Sequence, residues 1–417
     1  MNKTTKTDVD YTTGPVGPAG RKRTLSMFMV MLGFTFFSAS MWVGQQLAAG
    51  LDFSGFIWAL LLGGLILAAY TGSLGYIGAE SGLSLDMLAR RSFGKKGSWL
   101  PSAMISFTQI GWFGVGLAMF AIPVAKEIFG LEVTPDQMPA AGYLLVAIAG
   151  ILMTASAYFG IRSLTIISYI AVPAVAILGT LAMILAIRRG DLGLVEQFAV
   201  GTKDLGIIAG AGLVIGSFVS GGTATPNFTR FAKNGRTGLI VTVIAFFIGN
   251  SLMFLFGAVS SIYVGGNDIF EVMLNLNLFY LAVLVLGLNI WTTNDNALYS
   301  AGLGLSNITG KSKKLMVIIS GIIGTVAAVW LYWNFCDWLN ILNCTLPPIG
   351  IILVIHYFAH RKAYLDGTVG EPTVNWGAVI GVVAGAVVAN LVKWGIPAIN
   401  GMAVAAVLYW FFNLGKK

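Results

Sequence analysis

Asn289, Thr292, Thr293 and Asn296 recur at i, i+3, i+4 and i+7 within a long apolar run, so on a helix they share one face. Hydroxyl and amide oxygens are hard donors, suited to a cation such as sodium that keeps its charge. Carbonyls freed by an unwound Gly33 and Phe36 would complete an oxygen cage. Interhelical hydrogen bonding accounts for the same stripe equally well. Asp295 is the one carboxylate of this run, which makes it a candidate proton carrier. It lies off the face of Asn289 and Thr293, however, which suits a structural pairing or a position near the cytoplasmic end better.

A second group of residues suits a flat ring. Gln109 and Trp112 are three apart and share a helix face, and Phe218 stands in a glycine-rich break elsewhere. Tryptophan and phenylalanine on opposite walls of a cavity would sandwich a heterocycle, while the Gln109 amide offers donor and acceptor to its edge. No Lys or Arg falls at predicted membrane depth beside these residues, which argues against a carboxylate or phosphate as the main ligand. In a chain with 12% aromatics a lone Trp112 more often packs or anchors at the interface, so the expectation rests on the combination. His356 and His360 are spaced to share a face but lack an acidic or Cys partner, and Arg361 and Lys362 follow, so they read as a solvated helix end and not a metal site. Cys336 and Cys344 form no CxxC pattern and imply neither disulfide nor metal.

The elements that must position these groups are membrane helices. Of the 417 residues 57% are hydrophobic and only 10% charged, too apolar for a soluble chain of this size. Lipid offers the backbone no hydrogen bonds, so uninterrupted apolar runs of about 20 residues must be helical. Twelve such spans are expected, near 24–50, 55–80, 99–126, 141–159, 164–187, 206–231, 237–264, 271–300, 313–332, 336–358, 373–391 and 396–414. Two are interrupted. Gly33 to Ser38 breaks the first, and Gly216 to Pro226, dense in glycine and hydroxyl residues, is expected to unwind the sixth. Small residues also serve close helix packing. Two clusters five spans apart nonetheless point to a five-plus-five inverted repeat with its binding site at mid-membrane.

The net charge of +8 would raise nucleic acid as a partner for a soluble chain, but here the cations cluster in short connections. With the N-terminus cytoplasmic, only Lys126, Arg188, Arg189, Lys203 and Lys393 fall outside among the 25 Lys and Arg residues. Both termini therefore come out cytoplasmic. Residues 1–23 are polar, lack the apolar core of a signal peptide and read as a disordered lead-in. Residues 81–98 mix Asp86, Arg90 and Arg91 with Leu85, Met87 and Leu88, as in a short amphipathic helix at the cytoplasmic interface, either setting orientation or serving a gate.

At these same residues the sequence resembles the nucleobase:cation symporter 1 family, and within it the cytosine transporters. The matching stretches are Phe34 to Trp42, Ser92 to Gly94 with Lys96 to Pro101, Gln109 with Gly111 to Gly116, and Gly287 to Tyr299. The resemblance implies an all-α, LeuT-like fold: a first repeat over 24–187, a second over 206–358, and two additional helices over 373–414. It also implies sodium-coupled import of cytosine across the inner membrane. Trp112 and Phe218 would stack the base, while Gln109, Ser217, Ser220, Asn289 and backbone near Phe37 bind its edge. Sodium, co-transported, would fall to Gly33, Phe36, Asn289, Thr292 and Thr293. Gly221 departs from the family's alanine, a change that a backbone contact there would survive. Purines, hydantoins or other small heterocycles are the alternative substrates, with proton or sodium coupling. An intramembrane enzyme would need a nucleophile, metal cluster or paired acids, which the sequence does not offer. A static channel suits two interrupted helices less well than alternating access does. No obligatory protein partner is evident.

Overall fold

The computed structural model describes residues 14–134, 137–200, 203–266, 269–334, 344–392 and 394–413. Residues 1–13, Cys336, the start of the tenth expected span, Lys393 and residues 414–417 lie outside them. Within the described residues the chain is helical throughout, as lipid-facing backbone requires.

The helices, in chain order, are α1 (Thr24–Thr35), α2 (Ser38–Gly50), α3 (Phe53–Ser81), α4 (Leu85–Ser92), α5 (Trp99–Glu127), α6 (Ala140–Tyr158), α7 (Ile161–Ile187), α8 (Leu194–Phe198), α9 (Ile207–Thr223), α10 (Pro226–Thr229) and α11 (Gly235–Val264). Then follow α12 (Ile269–Asn275), α13 (Phe279–Thr309), α14 (Lys313–Trp333), α15 (Pro347–Ala359), α16 (Arg361–Leu365), α17 (Trp376–Leu391) and α18 (Pro397–Asn413). Among the described residues six helices are long and apolar enough to cross a membrane, or seven when α1 and α2 count as one bent span. Helices α9, α15 and α17 are apolar but shorter.

Local chemistry sets the boundaries. The Asp52 carboxylate accepts from the Gly55 amide at 2.8 Å and caps α3, and Ser84 caps α4 through the Met87 amide. Gly82 and Gly310 end α3 and α13 in the left-handed conformation that a side chain disfavours. Asn277, at φ 62°, separates α12 from α13, so the eighth expected span divides into a short helix and one that begins at Phe279.

Packing sorts the helices into two groups. In the first, α3 lies on α9 and α11, and α2 lies on α11; in the second, α13 and α14 pack on α5, with α6 against α13 and α14. Helix α7 touches both, through α1 and α11 on one side and α13 on the other. Helices α17 and α18 pair with each other and join the rest mainly through α15, with α18 also touching α9 and Asn375, which caps α17, bonding to Ser92 and Phe93. The α2–α11 contact is a glycine seam. A methyl on Gly44 would collide with the Phe254 backbone, and one on Gly257 with the Met41 backbone.

Within the segment read as a disordered lead-in, residues 14–23 are ordered and run along the end of α3 and the turn between α10 and α11. The Val16 amide donates to Gly82 O, the Lys22 amide to Phe231 O, and the Arg21 guanidinium to the carbonyls of Ala79, Arg230 and Ala232. One side chain thereby satisfies a carbonyl at the end of α3 and two in the turn after α10.

Candidate functional site

The first break is where the sequence places it. Phe36 and Phe37 are non-helical, and α2 leaves α1 at a 55° bend. A break at membrane depth must satisfy its backbone internally, and the Asn289 side chain of α13 does so. Its Nδ2 donates to Phe36 O at 3.0 Å, and its Oδ1 accepts from the Ser38 amide at 2.8 Å. Asn289, expected to meet both substrate and sodium, thus engages its amide with the break and does not line the cavity described below. Its carbonyl oxygen accepts from Thr292 Oγ1 at 2.9 Å and Thr293 Oγ1 at 3.3 Å. Gly33 is pressed against the same place: a methyl there would stand 2.6 Å from Ser168 Oγ and 3.6 Å from Thr292 Cβ. Gly33, Ser168 and Thr292 therefore come together where α1, α7 and α13 meet. Ser168 was not foreseen, and one of two serines in the apolar run of α7 carries no signal that marks it.

The second break differs from expectation. The stretch from Gly216 is helical through Thr223, and only Ala224 and Thr225 separate α9 from α10. The hydroxyls of Ser217 and Thr223 bond back to Val214 O and Val219 O, which keeps these residues inside the helix. The small residues instead permit close approach, since a methyl on Gly222 would meet Thr71 Cγ2 at 2.5 Å. Close packing, weighed against unwinding in the sequence, is what this stretch does.

Between these segments lies a small cavity of about 20 Å3 lined by Phe34, Phe37, Gln109, Trp112, Ser217, Phe218, Ser220, Gly221 and Thr293. Six of the seven predicted substrate residues meet there, Asn289 excepted. The Phe37 ring stands edge-on to Trp112 at 5.4 Å, and the Phe218 ring edge-on to Phe34 at 5.2 Å and to Phe246 at 5.4 Å. Gln109 Nε2 and Ser220 Oγ are buried with no hydrogen-bond partner, two polar groups whose desolvation is uncompensated within the protein. Phe246 enters through a π-helical turn in α11, Ile244–Gly249, a local rewinding that no sequence period announces.

On the side of α4 and α10 the cavity is closed in layers. Phe34 packs on Phe228 at 5.0 Å and Phe228 on Tyr299 at 6.0 Å, and below them Arg230 Nη2 donates to the Tyr299 hydroxyl at 2.9 Å. Arg230 and Lys313, counted in the sequence as loop cations, are both buried, and Lys313 sits over the Tyr299 ring. Helix α4 seals the edge: the Leu85 amide donates to Asn227 Oδ1 at 2.9 Å and Ser102 Oγ to Asp86 Oδ1 at 2.5 Å. Burial pushes the Asp86 carboxyl up to about 6, while the Ser102 bond and the Arg230 charge oppose the rise.

Asp295 is paired, with Ser156 Oγ donating to it at 2.5 Å and receiving Trp291 Nε1 at 2.8 Å. His356 is not solvated. It is 7% exposed, its Nδ1 bonds the Tyr364 hydroxyl at 2.7 Å, and its ring stacks on His360. The short helix α16 folds back over that end of α15 and covers it. Among the described residues no group of three or more His, Cys, Asp or Glu could hold a metal ion, and the buried Cys344 thiol donates to Ala389 O at 3.6 Å.

Residues 15–412 match the family described as permeases for cytosine/purines, uracil, thiamine and allantoin. The Escherichia coli K12 protein named cytosine permease is 46% identical over 408 residues, covering 97% of this chain and 94% of that one. A hydantoin permease of Microbacterium maritypicum is 23% identical, covering 79% and 73%. Among solved structures, the nucleobase-cation-symport-1 transporter Mhp1, in a closed conformation with bromovinylhydantoin bound, superposes with a TM-score of 0.78 at 18% identity, covering 95% of this chain and 93% of that one. A Na+-coupled sialic acid symporter in an outward-open state superposes at 0.70 and 14%, covering 97% and 92%.

Proposed function

Because the chain belongs to the permease family for cytosine, purines, uracil, thiamine and allantoin, we propose that it imports cytosine together with sodium by alternating access. It is a multi-pass membrane transporter of nucleobases, not an enzyme. One observation carries the substrate reading: Trp112, Phe218, Gln109, Ser217, Ser220 and Phe37, drawn from three distant segments, line a single cavity beside a broken helix. Trp112 and Phe218 stack the base once the rings of Phe37 and Phe34 yield, and Gln109 and Ser220 bind its edge with the polar atoms that lack protein partners. Ser217 and the Phe37 backbone border the same space. With no cation among the lining side chains, a neutral ring is accepted and an organic anion is not.

Sodium is held by the carbonyls of Gly33, Phe36 and Asn289 and the hydroxyls of Thr292 and Thr293. The closeness of Gly33 to Thr292 and the Asn289 bond that holds the broken backbone at Phe36 against α13 support this set. Asn289 then couples the two solutes. Its carbonyl meets the ion while its amide fixes the backbone of Phe36 and Ser38 that borders the base. By linkage each solute raises the other's affinity by the same factor. Alternating access fits the division into two helix groups, with Phe34, Phe228, Tyr299 and Arg230 closing the cytoplasmic side. The chain lies in the cytoplasmic membrane with both termini inside and twelve spans, the arrangement favoured by its basic residues.

The test is cytosine binding to purified protein in sodium and in choline, with hydantoin and adenine as competitors. We expect tight binding only in sodium, displaced by neither competitor, and expect Thr293→Ala to lose the sodium dependence while Asp295→Asn keeps it. Equal affinity in choline would remove the sodium site, and displacement by hydantoin would shift the substrate.

A further inference from the structure

A groove of about 490 Å3 runs between α6 and α14 on the side of the molecule away from the cavity. Its seam is set by glycines. A methyl on Gly150 would collide with the Thr325 hydroxyl and one on Gly321 with the Thr154 hydroxyl, so the two helices touch there and splay above. The walls are apolar and outward-facing: Ile151, Phe159, Ile322 and Val326 are 69%, 66%, 59% and 82% exposed. The Thr325 hydroxyl donates to Gly321 O at 2.7 Å, so the floor offers that polar group no ligand to bind.

Length and charge identify the occupant. From Ala147 to Phe159 the groove follows twelve helical steps, about 18 Å at 1.5 Å per residue, close to the ~15 Å of one leaflet's hydrocarbon. It runs from mid-membrane to one lip, where Lys314 Nζ sits 4.7 Å over the ring of the groove residue Tyr158 and Arg162 and Lys311 are exposed. No Asp or Glu occurs between residues 138 and 190 or between 296 and 336, so nothing acidic in these stretches neutralises that lip. An apolar channel one leaflet deep with a cationic rim is complementary to a lipid with an anionic headgroup. We propose that this groove is a binding site for one acyl chain of an anionic phospholipid of the cytoplasmic leaflet, its headgroup phosphate paired with Lys314 and Arg162.

Native mass spectrometry of the purified protein, titrated with an equal mixture of phosphatidylglycerol and phosphatidylcholine, tests this. The expected result is a first bound lipid that is phosphatidylglycerol by at least threefold. The preference should be lost in Lys314→Gln/Arg162→Gln at unchanged helical content and melting temperature, and all retained lipid at this site should be lost when Ala155→Trp fills the groove. Equal retention of the two lipids by the wild type overturns the site without any variant, as does an undiminished preference in the double variant. A dimer that Ala155→Trp disrupts would show that a second copy, not a lipid, covers the groove.

Discussion

At the scale of single residues, the account assigns affinity to ring faces first and hydrogen bonds second. Replacing Trp112 or Phe218 by alanine removes one stacking face, about 1–3 kcal/mol by analogy with base–aromatic stacking, and should weaken cytosine binding by roughly tenfold or more. Ser220→Ala removes one hydrogen bond, a net ~0.5–1.5 kcal/mol, and should cost less. Equilibrium binding of labelled cytosine to the three variants checks the ranking, and wild-type affinity in both aromatic variants would contradict the sandwich. Much of this site is legible in the sequence because its residues are out of place: amides, serines and threonines at membrane depth need a partner, and their helical spacing shows which face seeks one. Asn289 shows the limit of that reasoning. The stripe marks it as functional, but whether its amide meets a solute or the backbone of another helix depends on where α1 breaks. Phe246 and Ser168 are apolar or isolated in their own segments and become part of the site only through packing.

At the scale of elements, glycine seams and one buried carboxylate set the tolerances. Gly44 and Gly257 hold α2 against α11 with backbone in contact, so Gly257→Ala forces the helices apart. Overpacking of this kind costs about 1–3 kcal/mol, and the variant should melt several degrees below wild type. An unchanged melting temperature would show that the seam is loose. Asp86 ties α4 to α5 through Ser102, and its carboxyl is raised to about 6 by burial. A carboxyl whose folded value lies above its unfolded value favours the folded state when protonated, so this contribution declines as pH rises from about 4 to about 6. Relative to Asp86→Asn, the wild type should gain thermal stability as pH falls from 7 to 4, and a constant difference between the two melting curves would contradict the assignment. The helices were legible here because lipid enforces long apolar runs. The break in the sixth span is confined to Ala224 and Thr225, at the end of the stretch expected to unwind, because glycine and hydroxyl residues serve tight packing as readily as unwinding, and the back-bonded hydroxyls of Ser217 and Thr223 keep the rest helical.

At the scale of the whole molecule, the chain is a multi-pass nucleobase transporter whose candidate cavity, closed on one side by aromatic and charged layers, is set where two helix groups meet. The sequence marks two irregular stretches five spans apart, but lipid erases the amphipathic patterns that would distinguish one helix's neighbours from another's. The coupling ion is the claim on which the rest depends, because the same cavity with a different ion would be driven by a different gradient. Uptake of radiolabelled cytosine into vesicles containing the purified protein, with sodium and proton gradients imposed separately, tests it directly. The account predicts accumulation driven by an inward sodium gradient at equal pH on both sides and none driven by a proton gradient without sodium; accumulation driven by protons alone would contradict it.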